Sequence, residues 1–391
     1  MTQKNRPTLA FATMCKNEEH IIGTVLDSVA PYIDYLIVAD TGSTDRTLEI
    51  VQEFMDRTGI PGEIHHDEWI SFGINKNKMM DYAFNKSDYV LHFDADDVLG
   101  GDFSFTNEDL GFDNYIMTMK RGTGTFKATV IYNNRLRWKF AGVAHTIIKC
   151  IDKPHYSTGD LSHKGYVVCD DIGARSMDPK KYLYDAEKLE KQFWDTLVED
   201  PDGLNYRSAF YCAQSYMDYG ISNGIVDAIK KALQWNRLYT KLQNTWIEER
   251  FEAQMRVSRC LMNLNASTDE VIDEMEKAIA IFADRAEPYY HLGTYLNQKG
   301  YHELAYQYLK RAQSISLDEA KKKYVLFVIN SCYDKYVNDE LSVACYWTNR
   351  IEEGVELINA IIEDPIFENR KPRLLDNLNH FKNLKERLAT A

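Results

Sequence analysis

Three polar clusters in the first hundred residues have the types and spacing to do chemistry. Lys16-Asn17-Glu18-Glu19, Asp40-Thr41-Gly42-Ser43 and Asp94-Ala95-Asp96-Asp97 each follow a short apolar run. Such a run, ended by a polar turn, reads as a buried parallel strand, and ligands of an open α/β sheet collect outside the carboxyl ends of its strands. The chain has neither G-x-G-x-x-G nor G-x-x-x-x-G-K-[ST], so a glycine-cradled dinucleotide site and a P-loop are not indicated. Clustered carboxylates suit instead a hard cation, Mn²⁺ or Mg²⁺, which takes one or two carboxylates and completes its shell with substrate phosphate oxygens. Such a cation neutralises a departing diphosphate. An acidic turn serves equally well as a helix cap. The D-x-D therefore takes its meaning from its companions.

Those clusters need elements to hold them. Thr8–Met14, Tyr35–Ala39 and Tyr89–Phe93 read as strands, and Glu18–Ala30, Thr47–Arg57 and Asn75–Phe84 as helices between them. The first helix shows the spacing plainly, with Ile21, Ile22, Val25, Leu26 and Val29 on one face. This alternation predicts an α/β fold with an open, mostly parallel sheet. Asn114–Ile151, rich in β-branched and aromatic residues, adds antiparallel strands or a hairpin beside it. From about Pro179 the pattern is helical. Tyr289, Leu292, Gly293, Leu296, Ala305, Leu309 and Ala312 within Arg285–Leu317 have the spacing of a tetratricopeptide helix pair, about 34 residues per repeat. Gly293 and Ala305 would let the two helices approach closely. Looser echoes at Tyr206–Leu238, Trp246–Phe282 and Tyr324–Glu363 predict three or four stacked pairs. The expected division is an α/β domain over 1–175 and an all-α repeat domain over 176–391.

Composition excludes several classes. At 391 residues with 45% hydrophobic and 27% charged content, the chain is that of a globular protein of two or three domains. No apolar run reaches the ~18 residues of a membrane span, and the opening MTQKNRPTLA does not read as a signal peptide. Seven scattered cysteines without a C-x-x-C argue against disulfides and zinc and for a reducing, cytoplasmic setting. A net charge of -13 argues against wholesale coating of nucleic acid or anionic membrane. One segment departs from it. Between Lys120 and Lys153 stand eight Lys/Arg against the single acid Asp152. They are either solvated strand edges or a local field for an anionic ligand: a diphosphate, a nucleic acid or a phospholipid-linked acceptor.

The motifs together resemble the family 2 glycosyltransferases of the GT-A fold, in the branch with tetratricopeptide repeats after the catalytic domain. Met14-Cys15-Lys16-Asn17-Glu18-Glu19 looks like the family's first-strand K-N-E-E, and Ile37–Thr47 resembles its V-x-D-x-G-S-x-D-x-T. Trp69–Lys76 is similar to W-x-x-F-G-x-N-[RK], and His92–Asp97 fills the D-x-D position. Trp138–His145 resembles W-x-x-x-G-x-x-H-E, and His163-Lys164-Gly165-Tyr166 the later H-x-G-Y. The resemblance spans roughly Leu9–Tyr166. It implies that Glu18 or Glu19 and Asp40 contact the base and ribose of a nucleoside-diphosphate sugar, and that Lys76 lies near the diphosphate. Asp94 would face ribose or metal and Asp96 bind the metal, with His145 or His163 as a further ligand or diphosphate contact. Asp40 and Asp45 have the alternative of capping turns, and His145 that of a satisfied core histidine.

One departure matters. Where the family carries an acid after the histidine of its G-x-x-H element, this chain has Thr146, which cannot deprotonate an acceptor. The base then falls to Asp97, Asp170, Asp171 or a histidine. The leading expectation is metal-dependent, inverting transfer of a sugar to a glycan, a lipid-linked sugar or a protein, with a protein partner possible on the repeats. Two alternatives stand beside it. One is a repeat scaffold with a degenerate nucleotide-binding domain; the other is a transferase acting on modified nucleic-acid bases, less favoured by the overall acidity.

Overall fold

The structure is a computed structural model that describes residues 6–122, 124–170 and 172–390. It packs as two compact units, Met1–Ser215 and Tyr216–Ala391. The change of composition near 175 marks where strand gives way to helix, whereas the compact units divide at 215/216, inside a helix.

The first unit opens with β1 (Leu9–Cys15), α1 (Ile22–Val29), β2 (Tyr35–Asp40), α2 (Thr47–Thr58), β3 (Gly62–His66), α3 (Phe72–Ala83) and β4 (Tyr89–His92). There follow β5 (Val98–Gly100), β6 (Asn114–Arg121), β7 (Gly124–Asn133), β8 (Trp138–Ala141), β9 (Ile147–Cys150), β10 (Thr158–Asp160) and β11 (Tyr166–Val168), then helix α4 (Lys181–Asp195). The main sheet runs β3-β2-β1-β4-β7-β6-β11-β5, with β10 beside β6. β1, β2, β3 and β4 pair in parallel, as do β6 with β10 and β11, while β7 runs antiparallel to both β4 and β6. The sheet is thus mixed and mostly parallel. β8 and β9 form a separate antiparallel ribbon.

Burial explains the patterns. In β1, Leu9, Phe11 and Cys15 face one layer with Ile22, Val25, Leu26 and Val29 of α1. The alternate Ala10 and Ala12 face Met79, Met80 and Ala83 of α3 on the other side. A strand covered on both faces reads as an unbroken apolar run, which is why β1, β2 and β4 were visible in sequence.

The second unit is helical. After α5 (Asn205–Asn223) and α6 (Val226–Lys241) come the pairs α7 (Ile247–Asn263) with α8 (Thr268–Ile281) and α9 (Glu287–Gln298) with α10 (His302–Gln313). A short α11 (Leu317–Lys323) precedes α12 (Lys335–Trp347), α13 (Ile351–Asn359) and α14 (Lys371–Thr390). The expected close approach at Gly293 is present. A Cβ there would stand 2.5 Å from Leu309 Cγ and 3.3 Å from the Ala305 carbonyl oxygen, so only glycine lets α9 and α10 pack at this distance. No helix among the described residues is long and apolar enough to cross a membrane.

Candidate active site

The loops after β1 and β2 are knitted into one body. The amides of Asn17, Glu18 and Glu19 donate to Ser43 Oγ (3.0 Å), Thr47 Oγ1 (2.7 Å) and Asp45 Oδ2 (3.1 Å). In return Asn17 Oδ1 accepts from the Thr44 amide (2.7 Å) and Glu19 Oε2 from that of Arg46 (2.9 Å). Polar backbone at strand ends must find partners, and here each loop supplies the other's. Asp40, 3% exposed, accepts the amides of Gly42 and Ser43, and Gly42 sits at φ +100°, a glycine conformation. Asp45 closes the turn before α2 by accepting from the Thr47 amide and hydroxyl. Both aspartates thus do the turn work the sequence allowed for.

Lys76 is aimed by its neighbours on α3. The buried Asn75 side chain accepts the amides of Ile70 and Ser71 and donates to the Glu68 carbonyl, fixing the loop that starts the helix. Asn77 pairs with the backbone of Phe140 on β8 through both its amide atoms. Gly73 allows the approach: a Cβ there would lie 2.2 Å from the Gly142 carbonyl oxygen. Backbone cannot yield as a flexible side chain does, so Gly73→Ala must push α3 off the β8 ribbon. We expect a loss of about 1–3 kcal/mol, seen as a thermal midpoint lowered by roughly 3–10 °C. Hydrogen exchange of the α3 amides should quicken as well, because the helix loses its seat on β8. Wild-type values in both measurements would show that Gly73 does not seat the helix.

Lys76 Nζ lies 2.8 Å from Asp94 Oδ1 at the end of β4. Asp94 is exposed, and the ammonium holds its carboxyl down to about 2. Asp97 is buried; burial, then the charges of Asp94 and Asp96, push it up to about 8. His92 is pushed down to about 4, mainly by burial, with Nδ1 2.9 Å from the Ala12 carbonyl oxygen. A cleft of about 280 Å³ opens at these residues, lined by Lys76, Asp94, Asp97, Tyr132, Phe140 and Thr146 among others. Asp96 Oδ2 accepts the Gly173 amide at 2.9 Å. Glu18, also buried, accepts the Ala174 amide at 3.1 Å.

The other expected residues lie as follows. His145 is exposed at φ +47°, its ring stacked 4.0 Å from Tyr211, so it is not a core histidine. Among the described residues no three His, Cys, Asp or Glu side chains are grouped as metal ligands, so Asp94, Asp96 and His145 do not form such a set. That arrangement still fits Mn²⁺ or Mg²⁺, which need only one or two carboxylates beside substrate phosphates. Asp170 and His163 are exposed, and Asp171 lies outside the described residues.

The basic segment is largely neutralised. Lys127, Arg135, Arg137, Lys139, Lys149 and Lys153 pair with Asp160, Asp88, Asp152, Asp202, Asp202 and Asp113. Lys120 lies 3.1 Å from the Tyr166 ring centre. Arg121 is different: its charge reaches Asp94 and Asp97, adding a little to the lowering of the first and opposing the rise of the second. Sequence counted it with its neighbours and missed its place beside the acidic cluster. Also missed were the amides of Gly173 and Ala174, for which the sequence carries no side-chain signal.

Residues 11–103 match the model of glycosyl transferase family 2, a stretch that takes in Glu18, Asp40, Lys76 and the D-x-D. No curated protein sequence matches the chain. Among solved structures, TarS 1-349 of S. aureus in complex with UDP is similar at 15% identity and TM-score 0.35, covering 71% of this chain and 89% of that one. A protein named MamA is similar at 17% identity and TM-score 0.30, over 55% of this chain and 96% of its own. Tetratricopeptide-like repeats of a putative kinesin light chain from Podosopora anserina are similar at 18% identity and TM-score 0.33, over 46% and 84%.

Proposed function

We propose that this chain transfers a sugar from a nucleoside-diphosphate sugar to an acceptor, with Mn²⁺ or Mg²⁺ and with inversion at the anomeric carbon. The observation that carries the reading is the cleft shared by Lys76, Asp94, Asp97 and Thr146, next to the family-matched strand ends. Asp94 and Asp96 are the carboxylates for the cation, which when bound neutralises charge on the leaving diphosphate. Lys76 sits where a phosphate oxygen can replace Asp94 as its partner. Glu18 and Asp40 line the loops assigned to base and ribose. Asp97 is the base we favour, because it opens on the same cleft as Thr146, whose position lacks the expected acid; a group that titrates near working pH is suited to that task. His145 and Asp170, both exposed, are the weaker candidates.

The acceptor is a glycan, a lipid-linked sugar or a protein, and the helical pairs offer a surface for a protein partner. A nucleic-acid acceptor loses the basic segment that recommended it. All seven cysteines are buried thiols, which suits a reducing, cytoplasmic setting. The test is a panel of nucleotide sugars hydrolysed with and without Mn²⁺, read beside thermal shifts. One donor should be turned over only with metal, and nucleotide and Mn²⁺ together should stabilise more than either alone. No turnover and no joint stabilisation with any donor would leave the scaffold reading in its place.

A further inference from the structure

The two carboxylates assigned to nucleotide and metal already have partners. Asp96 Oδ2 accepts the Gly173 amide at 2.9 Å, and both Glu18 oxygens take the Ala174 amide at 3.1–3.2 Å. The Ile172 carbonyl oxygen lies 2.9 Å from His20 Nε2, on the same loop as Glu18. Residues 172–177 thus cross the acidic pair with their backbone, although they come more than seventy residues after Asp96. Their grip is polar. Only Gly173 of the six is buried, while Ile172 and Met177 are 42% and 81% exposed. The far end is tied to α4 by Arg175, which donates to Asp185 Oδ1 at 2.6 Å. A segment that buries so little apolar surface is held down by these hydrogen bonds, by those of Arg175 and Ser176 to Lys181, and by the Arg175 guanidinium over the Phe72 ring.

We propose that residues 172–177 are an autoinhibitory strap that must leave Glu18 and Asp96 before a nucleotide and its cation bind. The inference rests on the glycosyltransferase reading of the site. Gly173 suits the closed state. Its backbone, at φ −60° and ψ 156°, is open to any residue, yet a Cβ would lie 2.4 Å from Asp96 Oδ2. Alanine therefore disturbs the contact with the carboxylate and not the strap's own conformation. Ala174→Pro is a second, independent change, since it deletes the N–H that Glu18 accepts; proline is tolerated at the first position of a helical turn.

The experiment titrates UDP, GDP and dTDP, each with Mn²⁺, into the full chain and both variants by calorimetry. A closed strap lowers apparent affinity by the fraction of molecules that are open. Both variants should therefore bind the preferred nucleotide at least about threefold more tightly than wild type. Amide exchange of 172–177 should quicken when wild type is saturated. Binding by the variants but not by wild type would support the strap most strongly. Equal or weaker binding in both variants, with wild-type melting, would overturn it while leaving the function intact. Silence from all three proteins toward every nucleotide would bring down the sugar-nucleotide reading and the strap with it.

Discussion

Asp96→Asn is expected to cut metal-dependent turnover of the donor by about 10²–10³, the scale of losing one preorganised electrostatic group, and to leave the fold as stable as before or more so. Both halves follow from the surroundings. Asparagine keeps the shape and an acceptor oxygen for the Gly173 amide, so the local structure has no reason to collapse. What disappears is one negative charge from a crowded group. Asp96 raises the carboxyls of both Glu18 and Asp97, which is repulsion stored in the folded state. Removing it should lower Asp97 only in part, because burial and Asp94, the larger causes of its rise, remain. The signature is a thermal midpoint held or raised while turnover falls, the usual sign of a residue kept for function at a cost in stability. Unchanged metal-dependent hydrolysis in this variant would remove Asp96 from the mechanism.

What sequence could reveal here depended on how local each feature is. The strands β1, β2 and β4 were legible because burial on both faces writes an unbroken apolar run. The α9–α10 pair was legible because Gly293 and Ala305 mark the closest approach of neighbouring helices. The motifs were legible as strings, yet their division of labour was not. Gly73 and Asn75 share a motif with Lys76, yet the structure gives them to the scaffold while Lys76 reaches the acidic cluster. The basic segment stayed undecided between strand edges and an anionic site for the opposite reason. Its partners Asp88, Asp113 and Asp202 come from other parts of the chain, and a count along a window cannot see charges that only the fold brings together. The strap over Glu18 and Asp96 is invisible for a third reason: it acts through backbone amides, which every residue but proline carries.

The helical unit supplies the largest expected effect on stability. Arg285 and Glu287 are fully buried and paired at 2.9 Å. Arg285 also donates to the carbonyls of Leu326 and Phe327, between the rings of Phe251 and Tyr324. Glu287 takes the Ile329 amide and the Tyr333 hydroxyl. Together they hold the non-helical stretch before α12 by its backbone. Arg285→Met fills similar space but leaves a buried carboxylate without its cation and two carbonyls without donors. We expect a loss of about 3–5 kcal/mol, read from the urea midpoint by far-UV circular dichroism. Replacing both residues, Arg285→Met with Glu287→Leu, should cost less than the single change, because the uncompensated charge goes with its partner. A single variant within about 1 kcal/mol of wild type would mean the pair is no better than a surface one. A double variant worse than the single would mean instead that the hydrogen bonds to Ile329 and Tyr333 outweigh the charge, and that Glu287 serves the backbone more than it serves Arg285.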